Sequence, residues 1–432
     1  MALTLKASQA LDTNPQFTPM KKTTLRLLIP FMALGHAVAA NTSPTFGEDL
    51  AFLKKHTEIL LLEVPGTGAR VAVAPAWQGR VMTSTDGGDS GASLGWLHRK
   101  NIVKGIKPEG ERTGDAKHIH IFGGEERFWL GPEGGQYALF FPPAPATYDF
   151  KNWKTPALLD TEPFNVVSAD SRRIKFSKDA EIPNRAGTKL KMHIDRTVEI
   201  LPVKSVEKIL GTNIPEGVSL VAYRTKNSVT NTSAEPWTKD KGLISIWLLG
   251  MFKHGPNVTV VAPLKPGAGP AVNTDYFAAV GNDRLVITDK AVFFKADGDY
   301  RSKIGIPPGR TTGIAAGYDP DRCILTVVRT VPPAKAASLP YVRSQWQDHK
   351  EPYAGDLINV YNDGPSAPGK AALGPFYELE TSSPAKPLNP GKKLNHTQET
   401  MHFRGTPEKL DPIAQKLLGL SLKEIQGVFA KP

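Results

Sequence analysis

Cysteine is almost absent: the 432 residues carry one, Cys323. A single thiol closes no disulfide within the chain, and a zinc site built from several cysteines is excluded. Set in the apolar run Cys323-Ile324-Leu325-Thr326-Val327-Val328, it reads as a small core residue. A G-x-x-x-x-G-K-[ST] phosphate loop and a G-x-S-x-G nucleophile turn are both missing. Gly66-Thr67-Gly68 is only a hairpin turn, with no strand–helix context for a nucleotide, so no cofactor is implied. Internal repeats and low-complexity linkers are lacking too. Helical periodicity is scarce, and no apolar stretch reaches the ~20 residues of a membrane helix.

What is present is ordinary globular material, 40% hydrophobic and 22% charged. Glycine (39) and proline (37) are plentiful, which points to many turns between short strands. Residues 1–40 read as an export signal. Met20-Lys21-Lys22 and Arg26 form a basic start, Leu27–Val38 a short apolar stretch, and Ala37-Val38-Ala39 a small-residue cleavage site. Cleavage after Ala39 or Ala40 would place the mature protein in the periplasm or outside the cell, with no membrane span. Losing Lys6, Lys21, Lys22, Arg26 and Asp12 takes the net charge from +11 to +8. That excess suits an acidic polysaccharide or an anionic surface, and equally a merely solvated basic surface. The cations are scattered rather than striped, so nucleic acid is not expected.

Three stretches carry a helical signal. They are Phe46–His56 with Thr45 as its cap, Val203–Leu210 before Gly211, and Thr406–Phe429, with Leu410, Ile413, Leu417 and Leu418 on one face. Thirteen β-branched or aromatic runs read as strands: Ile59–Val64, Arg70–Ala74, Tyr137–Phe141, Phe164–Ser168, Arg172–Ser177, Leu190–Ile200, Leu220–Thr230, Leu243–Phe252, Val258–Val261, Arg284–Ile287, Ala291–Lys295, Ile324–Arg329 and Leu357–Tyr361. His193–Ile200 alternates as a half-buried antiparallel strand does. The expectation is one large antiparallel β domain of sandwich type over residues 41–432, ending in a helical cap.

Five stretches concentrate chemistry. In His118–Phe141, His118 and His120 share a face if they lie on a strand, but two ligands are too few for a metal. Glu125, Glu126, Arg127, Trp129 and Glu133 follow the Gly123-Gly124 pair. Charge beside an aromatic suits sugar recognition, and a buried Arg–Glu brace accounts for it equally well. Trp247, inside the apolar Leu243–Met251, is expected to pack in the core. On a strand, Asp297, Asp299, Arg301 and Lys303 would share a face, without the spaced oxygens of a calcium loop. Asn359, Tyr361 and Asp363 share another face, and Asn362-Asp363-Gly364 is a turn suited to a binding rim. In Gly374–Phe403, Glu380 ends a partly apolar run, where a sheet protein can place a general base, and Glu378 shares its parity.

The segments Leu379-Glu380-Thr381, Leu388-x-Pro390-Gly391 and His396-Thr397 resemble the C-terminal end of the aldose 1-epimerase (galactose mutarotase) superfamily. Ile121-Phe122-Gly123-Gly124 is similar to that family's His-Gly-Gly segment, with Phe122 in place of the histidine; Asn227–Asn231, nearest to its second histidine motif, has none. The series GGEERFWLGPEGG, ISIWLLGMF, YRSKIG, YNDG and FYELETSSPA also resembles exported bacterial proteins of unknown function with a mutarotase-like fold. The resemblance implies an all-β galactose-mutarotase-like supersandwich of antiparallel sheets, with a few short helices and a C-terminal helical cap. It implies a carbohydrate ligand and Glu380 as general base, with Arg127, Trp129, Glu133, Trp247, Lys303, Asn362 and Glu378 as candidate pocket residues and no metal. The expected activity is epimerisation or a related proton abstraction. The alternatives are a lyase acting on acidic glycans and a non-catalytic carbohydrate-binding protein.

Overall fold

The alternation around His193 is realised as the strand Lys189–Ile200, paired antiparallel with Arg173–Pro183 on one side and Ser219–Asn231 on the other. The structure, a computed structural model, describes residues 43–430 except 278 and 368. The export signal expected over residues 1–40 lies outside the described residues.

Ten strands form the largest sheet. Their order is Leu285–Ile287, Ala291–Lys295, Thr259–Pro263, Ile314–Asp319, Ile324–Arg329, Lys393–Arg404, Ser219–Asn231, Lys189–Ile200, Arg173–Pro183 and Asn165–Ala169. A five-stranded sheet runs Ser302–Ile306, Ile358–Asn362, Phe376–Ser382, Ser245–Lys253 and Arg127–Gly131. Leu60–Glu63, Arg70–Ala74 and Arg80–Thr85 make a third. Every pairing is antiparallel, as an all-β sandwich of short-looped strands requires.

Side-chain parity divides the five-stranded sheet into two faces. Tyr377, Leu379, Val360 and Ile304 point one way and pack with Val260, Ala315 and Val328 of the large sheet. Phe128 and Leu248 extend that layer against Ile194, Val198 and Tyr223. The opposite parity carries Arg127, Trp129, Trp247, Glu378 and Glu380. The large sheet's outer face is half covered. Helices Pro407–Leu418 and Leu422–Gly427 lay Leu410, Ile413, Ala414, Leu418, Leu422 and Ile425 over Ala222, Leu325, Val327, Met401 and Phe403. This is the helical cap expected from Thr406–Phe429. Phe46–Lys54 forms with Thr45 and Glu48 in a capping box, and Val203–Leu210 ends at Gly211, as the sequence suggests. Among the described residues no helix is long and apolar enough to cross a membrane.

Several expectations fail for identifiable reasons. Tyr137–Phe141 is not a strand; it is an irregular loop that buries Ala138, Leu139, Phe140 and Phe141, because short apolar runs bury equally well without pairing. Arg80–Thr85 and Arg127–Gly131 are strands without alternation, since both faces are covered. His118 and His120 do not share a strand face. His118 Nδ1 meets the Trp153 carbonyl at 2.7 Å, and His120 Nδ1 meets Asp160 at 2.8 Å. Cys323 is half-buried in a turn at φ 53° rather than in the core. Asp297 is taken up by Arg284 and by Lys295 at 3.3 Å.

Gly123 and Gly124 adopt φ of 86° and 115°, and a Cβ on Gly123 would stand 2.2 Å from the Trp96 carbonyl oxygen. Only glycine fits there. Behind them Glu126 pairs with Arg196 at 2.9 Å, with no exposure of either side chain. Of the two readings left open for this cluster, Glu126 follows the buried brace.

Candidate functional site

The polar face of the five-stranded sheet forms the floor of a cavity of about 170 Å³. Register explains the assembly. Tyr361 sits opposite Glu378 and Lys303, Glu378 opposite Met251, and Trp129 opposite Trp247, so one face collects residues from all five strands. Loops supply the walls: Trp153, Tyr276, Phe277 and Trp346. Four of the seven tryptophans line this one space.

Three carboxyl groups line it: Asp115, which is exposed, Glu133 and Glu378. Glu378 Oε1 accepts from Arg127 Nη2 at 2.5 Å. Burial pushes its carboxyl up to about 7, against the pull of Arg127 and with a further push from Glu380. Glu133 Oε1 accepts from both the Trp153 and the Trp346 indole N–H, each at 2.9 Å. Glu133 is half-buried in the cavity lining, and burial raises its carboxyl above the ordinary value, opposed chiefly by Lys303. Both indoles spend their donors on Oε1, so Oε2 has no protein partner among the described residues. Arg127, whose guanidinium lies 4.7 Å from the Trp129 ring, keeps a buried Nε–H without a partner among the described residues. A buried donor with nothing to bind is costly unless a ligand oxygen meets it.

Glu380 lies under this floor. It is fully buried, its two oxygens are each 3.0 Å from Lys303 Nζ, and Oε2 accepts from the Trp247 indole at 2.8 Å. Lys303 in turn lies 4.8 Å from the Trp247 ring and 5.4 Å from the Tyr276 ring. The pair sets Lys303 and Trp247 in the wall and separates Glu380 from the cavity. Glu380→Gln is expected to lower stability by about 1.5–3 kcal/mol, because Lys303 loses its counter-charge but keeps an oxygen acceptor. A urea-unfolding midpoint that does not move would contradict this role.

Of the residues singled out from the sequence, Arg127, Trp129, Glu133, Trp247, Lys303 and Glu378 line one cavity. Trp247, read from its apolar strand as a packing residue and from the resemblance as a pocket residue, both packs and lines. Asn362 does not join them. Its parity is opposite to that of Tyr361, and it ties down the Asp297–Tyr300 turn, accepting from Gly298 N at 3.0 Å and donating to the Tyr300 carbonyl at 2.9 Å. Phe122, at the family's histidine position, is buried and stacked on Trp77 at 4.4 Å. The wall residues missed are Trp153, Tyr276, Phe277 and Trp346. Aromatics in otherwise irregular, polar loops were their only signal. Behind the wall the Tyr276 hydroxyl donates to Asp356 at 2.6 Å and accepts from Asn359 at 2.9 Å.

No curated protein matches the sequence. Solved structures similar to it include Slr1438 protein from Synechocystis sp. PCC 6803 (11% identity, 81% of this chain and 96% of that one, TM-score 0.47); a galactose mutarotase related enzyme from Lactobacillus acidophilus (10%, 81% and 98%, 0.44); and a galactose mutarotase-like protein from Lactobacillus casei (10%, 80% and 100%, 0.43). A family model described as a family of unknown function (DUF6786) matches residues 44–429, and the chain belongs to that family.

Proposed function

We propose that the cavity binds a sugar ring and that Glu378 transfers a proton there, making the protein a carbohydrate-active enzyme of the epimerase type. The observation that carries this reading is Glu378 itself: a carboxyl facing an aromatic cavity, raised to about 7 by burial and oriented by Arg127. A general base works best when it titrates near the working pH. Trp129, Trp153 and Trp346 offer faces to a pyranose, and Arg127 Nε–H offers a donor to one of its oxygens. Ring opening takes a proton from the anomeric hydroxyl and returns one to the ring oxygen. Glu378 takes the first, and Glu133, with Oε2 unpartnered, returns the second. This moves the base from Glu380, which the family resemblance implies, to its neighbour two residues earlier. Glu380 becomes the positioning residue for Lys303.

A second reading is favoured by Arg127 and Lys303 together. Two cations beside a base would stabilise the charge formed when a proton α to a uronate carboxylate is removed, so elimination from an acidic glycan uses the same groups. The test is a panel of reducing sugars and uronic-acid oligomers, followed by tryptophan fluorescence for binding, by NMR for anomeric exchange, and by ultraviolet absorbance for unsaturated products. Exchange supports the first reading and unsaturated product the second. Binding without either makes the protein a non-catalytic sugar-binding module. We further propose that the protein is exported as one mature β domain. A mature N-terminus at Ala40 or Asn41 is the expected result, and a secreted or periplasmic protein retaining Met20 would overturn it.

A further inference from the structure

The outer face of the ten-stranded sheet changes character along each of three adjacent strands. Leu220 and Ala222 give way to Arg224 and Lys226, Phe403 and Met401 to Glu399, Thr397 and Asn395, and Leu325 and Val327 to Arg329. The apolar half lies under the C-terminal helices, and the charged half lies beyond their reach. There the face opens into a groove of about 540 Å³, completed by Tyr341, Ser382, Lys386 and Lys393.

The groove's charge is one-sided: five cationic side chains against the single carboxylate of Glu399. Glu399 is already doubly held. Arg224 donates to it from Nε at 3.0 Å and Nη2 at 2.7 Å, and Arg329 pairs with its other oxygen. Two guanidiniums on one carboxylate leave a net positive floor. Above it, Lys386 and Lys393 form no ion pair among the described residues, and Lys226 reaches only Glu199 at 3.8 Å. Burial lowers His396 to about 3, so it adds no charge. Between the cations stand neutral hydrogen-bonding groups, Asn395, Thr397, Thr330 and Ser382. The Tyr341 hydroxyl is buried and has no partner among the described residues.

A protein does not hold like charges together on an open concave surface without a compensating ligand or a cost in repulsion. Hydroxyls and amides interleaved with ammonium groups match a ligand carrying both anionic groups and hydroxyls. We propose that this groove is a second binding site, separate from the Glu378 cavity, for an acidic saccharide whose carboxylate, sulfate or phosphate groups meet Lys226, Lys386 and Lys393. The site does not rest on the catalytic reading. It requires only the groove, its net charge and its polar lining.

The experiment compares the wild-type protein with Lys226→Gln/Lys386→Gln/Lys393→Gln, all three positions being exposed. Probes are oligogalacturonate, a sulfated oligosaccharide, dextran of equal length, inorganic phosphate and single-stranded DNA, with affinities from titration calorimetry at two salt concentrations. The expected result is binding of one or both acidic saccharides that weakens with salt and falls about tenfold in the triple variant, with an unchanged melting temperature. The two acidic probes distinguish a carboxylate from a sulfate source. Equal binding of dextran, an undiminished affinity in the triple variant, tighter binding of the DNA, or capture of inorganic phosphate alone would each overturn the assignment. Trp346→Ala, which strips an aromatic wall from the Glu378 cavity, should leave this binding at the wild-type level, so its loss there would place the saccharide in the cavity instead.

Discussion

Replacing Glu378 by glutamine is expected to reduce kcat/KM on a responsive sugar by about 10²–10⁴-fold, the usual contribution of a positioned proton-transfer group. Glutamine keeps an oxygen for Arg127, so ligand affinity, read by tryptophan fluorescence, should change far less than turnover. In the wild type, activity should rise with pH around 7 as the carboxyl loses its proton, and that limb should vanish in the variant. Stability supplies an independent check. The folded carboxyl holds its proton up to about 7, whereas the unfolded one releases it near 4.5. Between those values the folded chain binds more protons, so wild-type stability falls as pH rises through that window and stays lower above it. The variant lacks this dependence and should gain on the wild type by up to about 3 kcal/mol across the window. Urea unfolding at several pH values measures it. A Glu378→Gln protein with full turnover and an unchanged pH–stability profile would remove Glu378 from the mechanism.

The second large effect lies in the core. Arg196 and Glu126 are both fully buried and 2.9 Å apart. Arg196 also donates to Asn227 at 2.7 Å and to the Gly79 carbonyl at 3.1 Å, and Gln398 donates to Glu126 at 2.9 Å. Arg196→Leu strands the Glu126 carboxylate without its cation and is expected to cost about 3–5 kcal/mol. Burial already raises the Glu126 carboxyl above its ordinary value, and losing Arg196 raises it further. The variant therefore recovers part of its deficit as the pH falls and Glu126 takes up a proton, so the loss should be larger at about pH 8 than at about pH 5. Adding Glu126→Leu should restore much of the stability at the higher pH. A deficit that stays constant with pH would mean that Glu126 does not carry the cost.

Much of the architecture was legible because local chemistry wrote it. Alternation marked Lys189–Ile200, a Thr45 capping box started the first helix, and Gly211 ended Val203–Leu210. Strands buried on both faces, such as Arg80–Thr85, left no alternation to read, and Tyr137–Phe141 showed that a buried apolar run need not pair. The site was partly legible for the same reason. Parity alone placed Glu378 with Glu380, and Asn359 with Tyr361, on single faces. The same rule turns Asn362, one residue on, to the opposite face; what the sequence left open was that Asn362 ends the strand rather than belonging to the turn after it.

By itself, then, the sequence determined an antiparallel β chain with a helical end, and it marked Glu378–Glu380, Arg127–Glu133 and Lys303 as the chemically dense stretches. Only the tertiary structure decided which carboxyl meets the cavity. Lys303 and Trp247 close over Glu380, Arg127 reaches Glu378, and the indoles of Trp153 and Trp346 converge on Glu133 from loops far apart in the chain. Burial and charge pairing between distant segments set a carboxyl's protonation and access, and no local pattern of residues encodes either.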